Sequence, residues 1–223
     1  MPDIAGFPLI QVQHLLALTV TAASSRCLRH LSTNVVCMSE NNFLVRQRFA
    51  AMINRYEIWA VDAEWNQTTL LGFAEQKRLK LREEIVFYTD TSKTHVLFRF
   101  KARNIVDIKS VVDVFDGPGQ VIGTFRKDWA ASLLSSTWYL DQPGLPTLKG
   151  TESSMVYAII RRVTDFGFIP YSFEYKTADG SLVLDITRKF GLRDTYRCTV
   201  QAPEYDTRVL QAVAVAMDTL QNR

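Results

Sequence analysis

Three pairs of adjacent cations recur along this chain, each at the same place in a repeated pattern: Lys77-Arg78, Arg126-Lys127 and Arg188-Lys189. Paired cations are suited above all to holding phosphate oxygens, and each Lys or Arg is worth about 1 kcal/mol beside an anionic membrane surface. The first pair opens the run Lys77-Arg78-Leu79-Lys80-Leu81-Arg82, where Arg78, Lys80 and Arg82 share one face if the segment is extended. That face is either a phosphate-binding stripe or the solvated side of a strand whose leucines pack inward. The candidate lipid- or phosphate-binding residues are thus Lys77, Arg78, Lys80, Arg82, Arg126, Lys127, Arg188 and Lys189.

Other chemistries have less support. The chain has no G-x-S-x-G elbow, no H-E-x-x-H, no Walker loop and no G-x-G-x-x-G opening a helix after a strand. His14, His30 and His95 are scattered, and His95 is expected to be an ordinary strand residue. Cys27, Cys37 and Cys198 form no CxxC, which argues against a disulfide framework or a thiolate zinc site. Glu83 and Glu84 point to opposite faces if extended. Asp62 with Glu64, and Asp113 with Asp116, match strand ends and turns better than a calcium loop. No metal and no cofactor is expected. Phe98-Arg99-Phe100-Lys101-Ala102-Arg103 fits a strand with its phenylalanines inward better than a base-stacking platform, which argues against nucleic acid.

The elements that must position these residues are mostly short strands. Alternation and β-branched or aromatic enrichment predict them at Phe43–Ala50, Tyr56–Val61, Leu70–Ala74, Ile85–Tyr88, Val96–Phe100 and Val106–Phe115. Six more follow at Gln120–Arg126, Ser136–Leu140, Thr147–Gly150, Tyr171–Tyr175, Leu182–Arg188 and Thr195–Gln201. Asp116-Gly117-Pro118-Gly119 and Ala178-Asp179-Gly180 are hairpin turns. Met155–Val163 is expected to be a short helix. Segments 56–89, 112–141 and 171–200 each run strand, turn, strand, cation pair, aromatic strand, which marks one supersecondary unit used three times.

Asp206 to Arg223 reads as one helix whose middle, Val209 to Met217, has no charge and one polar residue, Gln211. A helix apolar on every face must be buried on every face. It is too short to span a bilayer, which takes about 20 apolar residues. Enclosure within a closed sheet is the simplest burial.

The strand order, the hairpin from Asp116 through Ile122-Gly123 to Arg126, the strand Trp138-Tyr139-Leu140-Asp141 and the uncharged last helix resemble the LURP-one-related proteins. That family is similar in fold to phospholipid scramblases and the tubby C-terminal domain. The resemblance covers Phe43 onward and implies a mainly β, tubby-like fold, a closed antiparallel barrel of about twelve strands enclosing a hydrophobic C-terminal helix. It lacks a scramblase-type proline-rich start and cysteine cluster, and no tubby signature segment can be aligned.

With 223 residues, 47% hydrophobic content and a formal charge of +3, the chain can form one sizeable core. Residues 38–223 are expected to be a single barrel domain. Residues 1–37 are expected to be a weakly ordered extension, or to precede a true start at Met38, since Leu9–Ala23 lacks the basic lead of a secretory signal. The expected role is a non-enzymatic, tubby-like or scramblase-like module that binds an anionic membrane surface, a phosphoinositide or a protein partner, in the cytoplasm and peripheral to membrane. The alternative is a ligand-binding or catalytic barrel of unknown substrate, which would need interior room beside the helix.

Overall fold

A computed structural model describes residues 42–49, 53–77, 84–103, 111–128, 136–153, 172–189 and 195–221. The described elements are twelve strands and one helix. The strands are β1 (Asn42–Phe49), β2 (Ile53–Val61), β3 (Gln67–Lys77), β4 (Glu84–Tyr88), β5 (Val96–Ala102) and β6 (Val112–Asp116). They continue as β7 (Val121–Asp128), β8 (Thr137–Asp141), β9 (Leu148–Glu152), β10 (Ser172–Lys176), β11 (Leu182–Lys189) and β12 (Thr195–Val200), followed by α1 (Thr207–Gln221). Every predicted strand has its counterpart, and the protein is mainly β. The expected strand from Val106 starts at Val112 among the described residues, and the expected helix at Met155–Val163 and the extension 1–37 lie outside them.

Each strand pairs antiparallel with the next, and β12 pairs back onto β1, so the sheet closes into a barrel with no free edge. Period-two alternation sends one face inward. On β5, Phe98 and Phe100 are buried while Lys101 is exposed, as their alternation predicts. The inner aromatics touch across strands: Phe87 stacks on Phe98 with centroids 4.6 Å apart, and Phe125 lies 6.0 Å from Phe100 and 6.3 Å from Trp138.

The helix occupies the space these walls leave. Val209, Leu210 and Ala212 to Met217 have 0% exposure and Gln211 has 4%, so the surrounding walls pack against this stretch. That finding goes against interior room beside the helix. Asp206 caps its start: Oδ1 accepts from the Arg208 N–H at 2.9 Å, and Gln142 Oε1 accepts from the Asp206 N–H at 2.9 Å. Gly123 on β7 makes room for the first turn, because a Cβ there would lie 2.7 and 3.0 Å from the two Val209 methyls.

The Gly123 contact can be tested by a thermodynamic cycle. Gly123→Ala should destabilise by about 1–3 kcal/mol through overpacking. Val209→Ala should recover part of that loss, so the double variant is more stable than the sum of the single effects in denaturant titration.

Candidate functional site

An antiparallel meander gives the barrel two chemically distinct rims. The hairpins after β2, β4, β6, β8 and β10, and the segment entering α1, all lie at one end, here the turn rim. Odd-numbered strands end at the other, the far rim. Four turns share one geometry, in which the N–H of the fourth residue donates to the C=O of the first: Trp65 to Asp62, Lys93 to Asp90, Gly119 to Asp116 and Gly180 to Thr177. That fourth residue has positive φ, at 66°, 60°, 99° and 89° in turn. Trp65 and Lys93 adopt this region without being glycine, at some cost in strain. Both are held by their side chains: the Arg197 guanidinium carbon lies 4.8 Å from the centre of the Trp65 ring, and Lys93 pairs with Glu75 and sits 5.9 Å from the Phe73 ring centre. His95, expected within a strand, is instead exposed in the turn before β5.

Turn chemistry makes this rim acidic. Segments 62–66, 89–95, 116–120, 141–147, 177–181 and 201–206 hold eight carboxylates and one Lys, Lys93. Hydrogen bonds from the side chains of Asn66, Ser92 and Thr177 hold Asp62, Asp90 and Asp179 respectively below the usual carboxylate range. The six connections joining strand ends at the far rim are 50–52, 78–83, 103–111, 129–136, 153–171 and 190–194, and by sequence they carry eight cations and four carboxylates.

The cation pairs belong to the far rim. Lys77 ends β3, Arg126-Lys127 lie near the end of β7, and Arg188-Lys189 end β11. Their strands are four apart in a twelve-strand ring, so at about 4.8 Å per strand roughly 20 Å of rim separates one pair from the next. Arg78, Lys80 and Arg82 lie outside the described residues.

Strand alternation splits two of the pairs. Arg126 and Lys189 are on the outer face, whereas Lys127 follows Phe125 and Arg188 follows Ile186 on the inner face. Arg126 is also engaged: it pairs with Asp141, and its guanidinium carbon lies 4.9 Å from the centre of the Tyr139 ring. Lys127 Nζ is 5.8 Å from the centre of the Trp138 ring. Of the described candidates, Lys189 is exposed.

The inner ends of the far-rim strands also carry polar groups that the cation pairs do not suggest. On β11, β12, β1, β2 and β3 the inner face there presents Arg188, Tyr196, Gln47, Asn54 and Gln76. On β7, β8 and β9 it presents Lys127, Trp138 and Glu152. Gln47 is 4% exposed; its Nε2 donates to Tyr56 Oη at 3.1 Å, while its Oε1 is buried with no hydrogen-bond partner. The signal that could have found these groups was the same period of two that located the core, followed to the strand ends.

Among the described residues, no three His, Cys, Asp or Glu side chains are grouped to hold a metal ion. Cys198 faces the core, where burial pushes its thiol pKa well up. None of the described helices is long and apolar enough to cross a membrane.

A closed twelve-strand barrel built around its own C-terminal helix is the architecture of the tubby-like class. A family model described as LURP-one-related matches residues 71–218, from β3 into α1, and the chain belongs to the LURP-one-related family. No curated protein and no solved structure matches the chain.

Because Arg126 is engaged by Asp141 and Tyr139, Arg126→Ala should lower stability by about 1 kcal/mol. Lys189→Ala should change it by less than about 0.5 kcal/mol in the same denaturant assay. The depressed pKa values of Asp62, Asp90 and Asp179 mean that their contribution is complete above the unfolded carboxylate value of about 4 and lost as pH falls through the folded values. Replacing all three by Asn should flatten the fall in melting temperature below about pH 4.

Proposed function

We propose that this protein is a non-enzymatic module that docks on an anionic phospholipid surface through its far rim. The observation that carries this reading is the opposition of the two ends, with cation pairs of three repeats at strand ends of one rim and eight carboxylates at the other. Such a charge distribution orients the barrel as well as attracting it, since an anionic surface draws one rim and repels the other. The roughly 20 Å between pairs, at about 4.8 Å per strand, suits contact with several head groups in a plane better than capture of one phosphoinositide. The cytoplasmic leaflet, where anionic lipid is concentrated, is the membrane face this reading implies.

Vesicle flotation tests the proposal directly. Vesicles containing phosphatidylglycerol should carry the protein up the gradient, neutral phosphatidylcholine vesicles should not, and added salt should release it. Charge reversal at Lys80, Arg82 and Lys189 should weaken binding by at least about fivefold per position, since loss of each cation alone removes about 1 kcal/mol. The same reversals at Asp62 and Asp179 on the turn rim should leave it undiminished. Equal binding to charged and neutral vesicles would reject the reading.

A further inference from the structure

Two arginines on the outer wall stand apart from the others. Arg48, Arg55, Arg99, Arg103, Arg126 and Arg208 each pair with a carboxylate. Arg46 and Arg197 have no carboxylate and no side-chain hydrogen bond among the described residues, and both are only half-buried. They are also neighbours. Arg46 pairs in register with Thr195 and Leu44 with Arg197, which puts the two arginines diagonally across β1 and β12, about 7–8 Å apart. Thr195 lies between Arg46 and the exposed Lys189 in one cross-strand row. The carboxylates beside this group are committed elsewhere: Glu57, opposite Arg46 on β2, holds Arg48 and the Trp59 indole N–H, and Asp185, opposite Thr199 on β12, accepts from the Ser172 and Thr187 hydroxyls. Trp65 keeps its φ of 66° while its indole lies over the Arg197 guanidinium, two strands from its own. Backbone strain of this kind gathers at functional positions, and here it goes with a guanidinium held flat against a ring.

We propose that Arg46, Arg197 and Thr195 form an open wall site for a phosphomonoester, with Lys189 at its edge. A monoester carries a charge between one and two near neutral pH and presents three strong acceptor oxygens. It can take a fork of N–H groups from each guanidinium and still accept from the Thr195 hydroxyl. One arginine fork fills both oxygens of a carboxylate, and a phosphodiester offers two free oxygens and a single charge, so neither uses both arginines as fully. Two uncommitted guanidiniums on adjacent strands thus select the monoester. The site shares Lys189 with the docking rim but otherwise stands on different residues, and it does not require the barrel to meet a membrane.

The test compares monoester with diester in two arms at fixed ionic strength. In calorimetric titration of the full chain, methyl phosphate should bind at least about tenfold tighter than dimethyl phosphate, the worth of one additional charge-assisted hydrogen bond. In flotation, vesicles containing phosphatidic acid should be preferred to phosphatidylglycerol vesicles of equal surface charge if the ester is carried by a lipid. Discrimination between the soluble esters shows that a free phosphate ester is taken, and discrimination confined to vesicles assigns a lipid head group. Arg46→Gln and Arg197→Gln should each abolish the preference, whereas Lys149→Gln, which removes an exposed cation from the outer face of β9, should leave it intact. Equal responses to monoester and diester in both arms would overturn the proposal, as would a preference that survives in Arg46→Gln and Arg197→Gln or is lost equally in Lys149→Gln. The wild-type comparison decides even if an arginine variant does not fold. Failure to bind phosphatidylglycerol vesicles would reject the docking rim alone, since the soluble arm contains no membrane.

Discussion

The structure depends on a mutual constraint between a wide barrel and an apolar helix. About eight strands enclose an interior that wall side chains alone can fill, and twelve enclose more than that. A helix with its side chains is about 10–12 Å across, and α1 supplies that volume. Its own composition demands the same arrangement, because Val209 to Met217 would otherwise leave an apolar surface in water on every side. Neither part is satisfied alone: the barrel needs a plug, and the plug needs a wall. Small residues tune the fit, with Ala212, Ala214 and Ala216 on the helix and Gly123 where the first turn meets β7.

The same meander that closes the barrel sorts its polar chemistry by end. Tight turns with one left-handed residue favour Asp at their first position, because its side chain bonds the turn's own N–H groups. Asp116 illustrates this, with Oδ1 accepting from the N–H groups of Gly119 and Gln120. Carboxylates thereby collect at the turn rim for reasons of local geometry. Cations collect at the other rim because each repeat places its pair at the end of its middle strand. An axial charge asymmetry results without any long-range pairing.

Much of this was legible in the residues. Twelve strands showed because alternation and turn signals act locally, and the enclosed helix showed because its lack of a polar face has few structural solutions. The cation pairs were legible as repeats, and chain order alone puts them at one rim. What escaped was the consequence of parity at the strand ends. Arg126 and Lys127 look equivalent as neighbours in sequence, yet a period of two sends one to Asp141 on the outside and the other to Trp138 on the inside. Gln47 was missed because a single polar residue within a strand looks like a solvent position until the inner face has been counted through, and Gln76 and Glu152 because the expected strands Leu70–Ala74 and Thr147–Gly150 stop short of them. Trp65 and Lys93 were missed because a turn normally marked by glycine is held here by side-chain contacts distant in sequence.

The central claim is that α1 is the core of the barrel and unfolds only with it. Native-state hydrogen exchange followed by mass spectrometry or NMR tests this most directly. The account predicts that amides of Leu210 to Met217 exchange among the slowest in the molecule, at the free energy of global unfolding and with the same denaturant dependence as the strands around them. Exchange of those amides through a local opening that leaves the strand amides protected would contradict it.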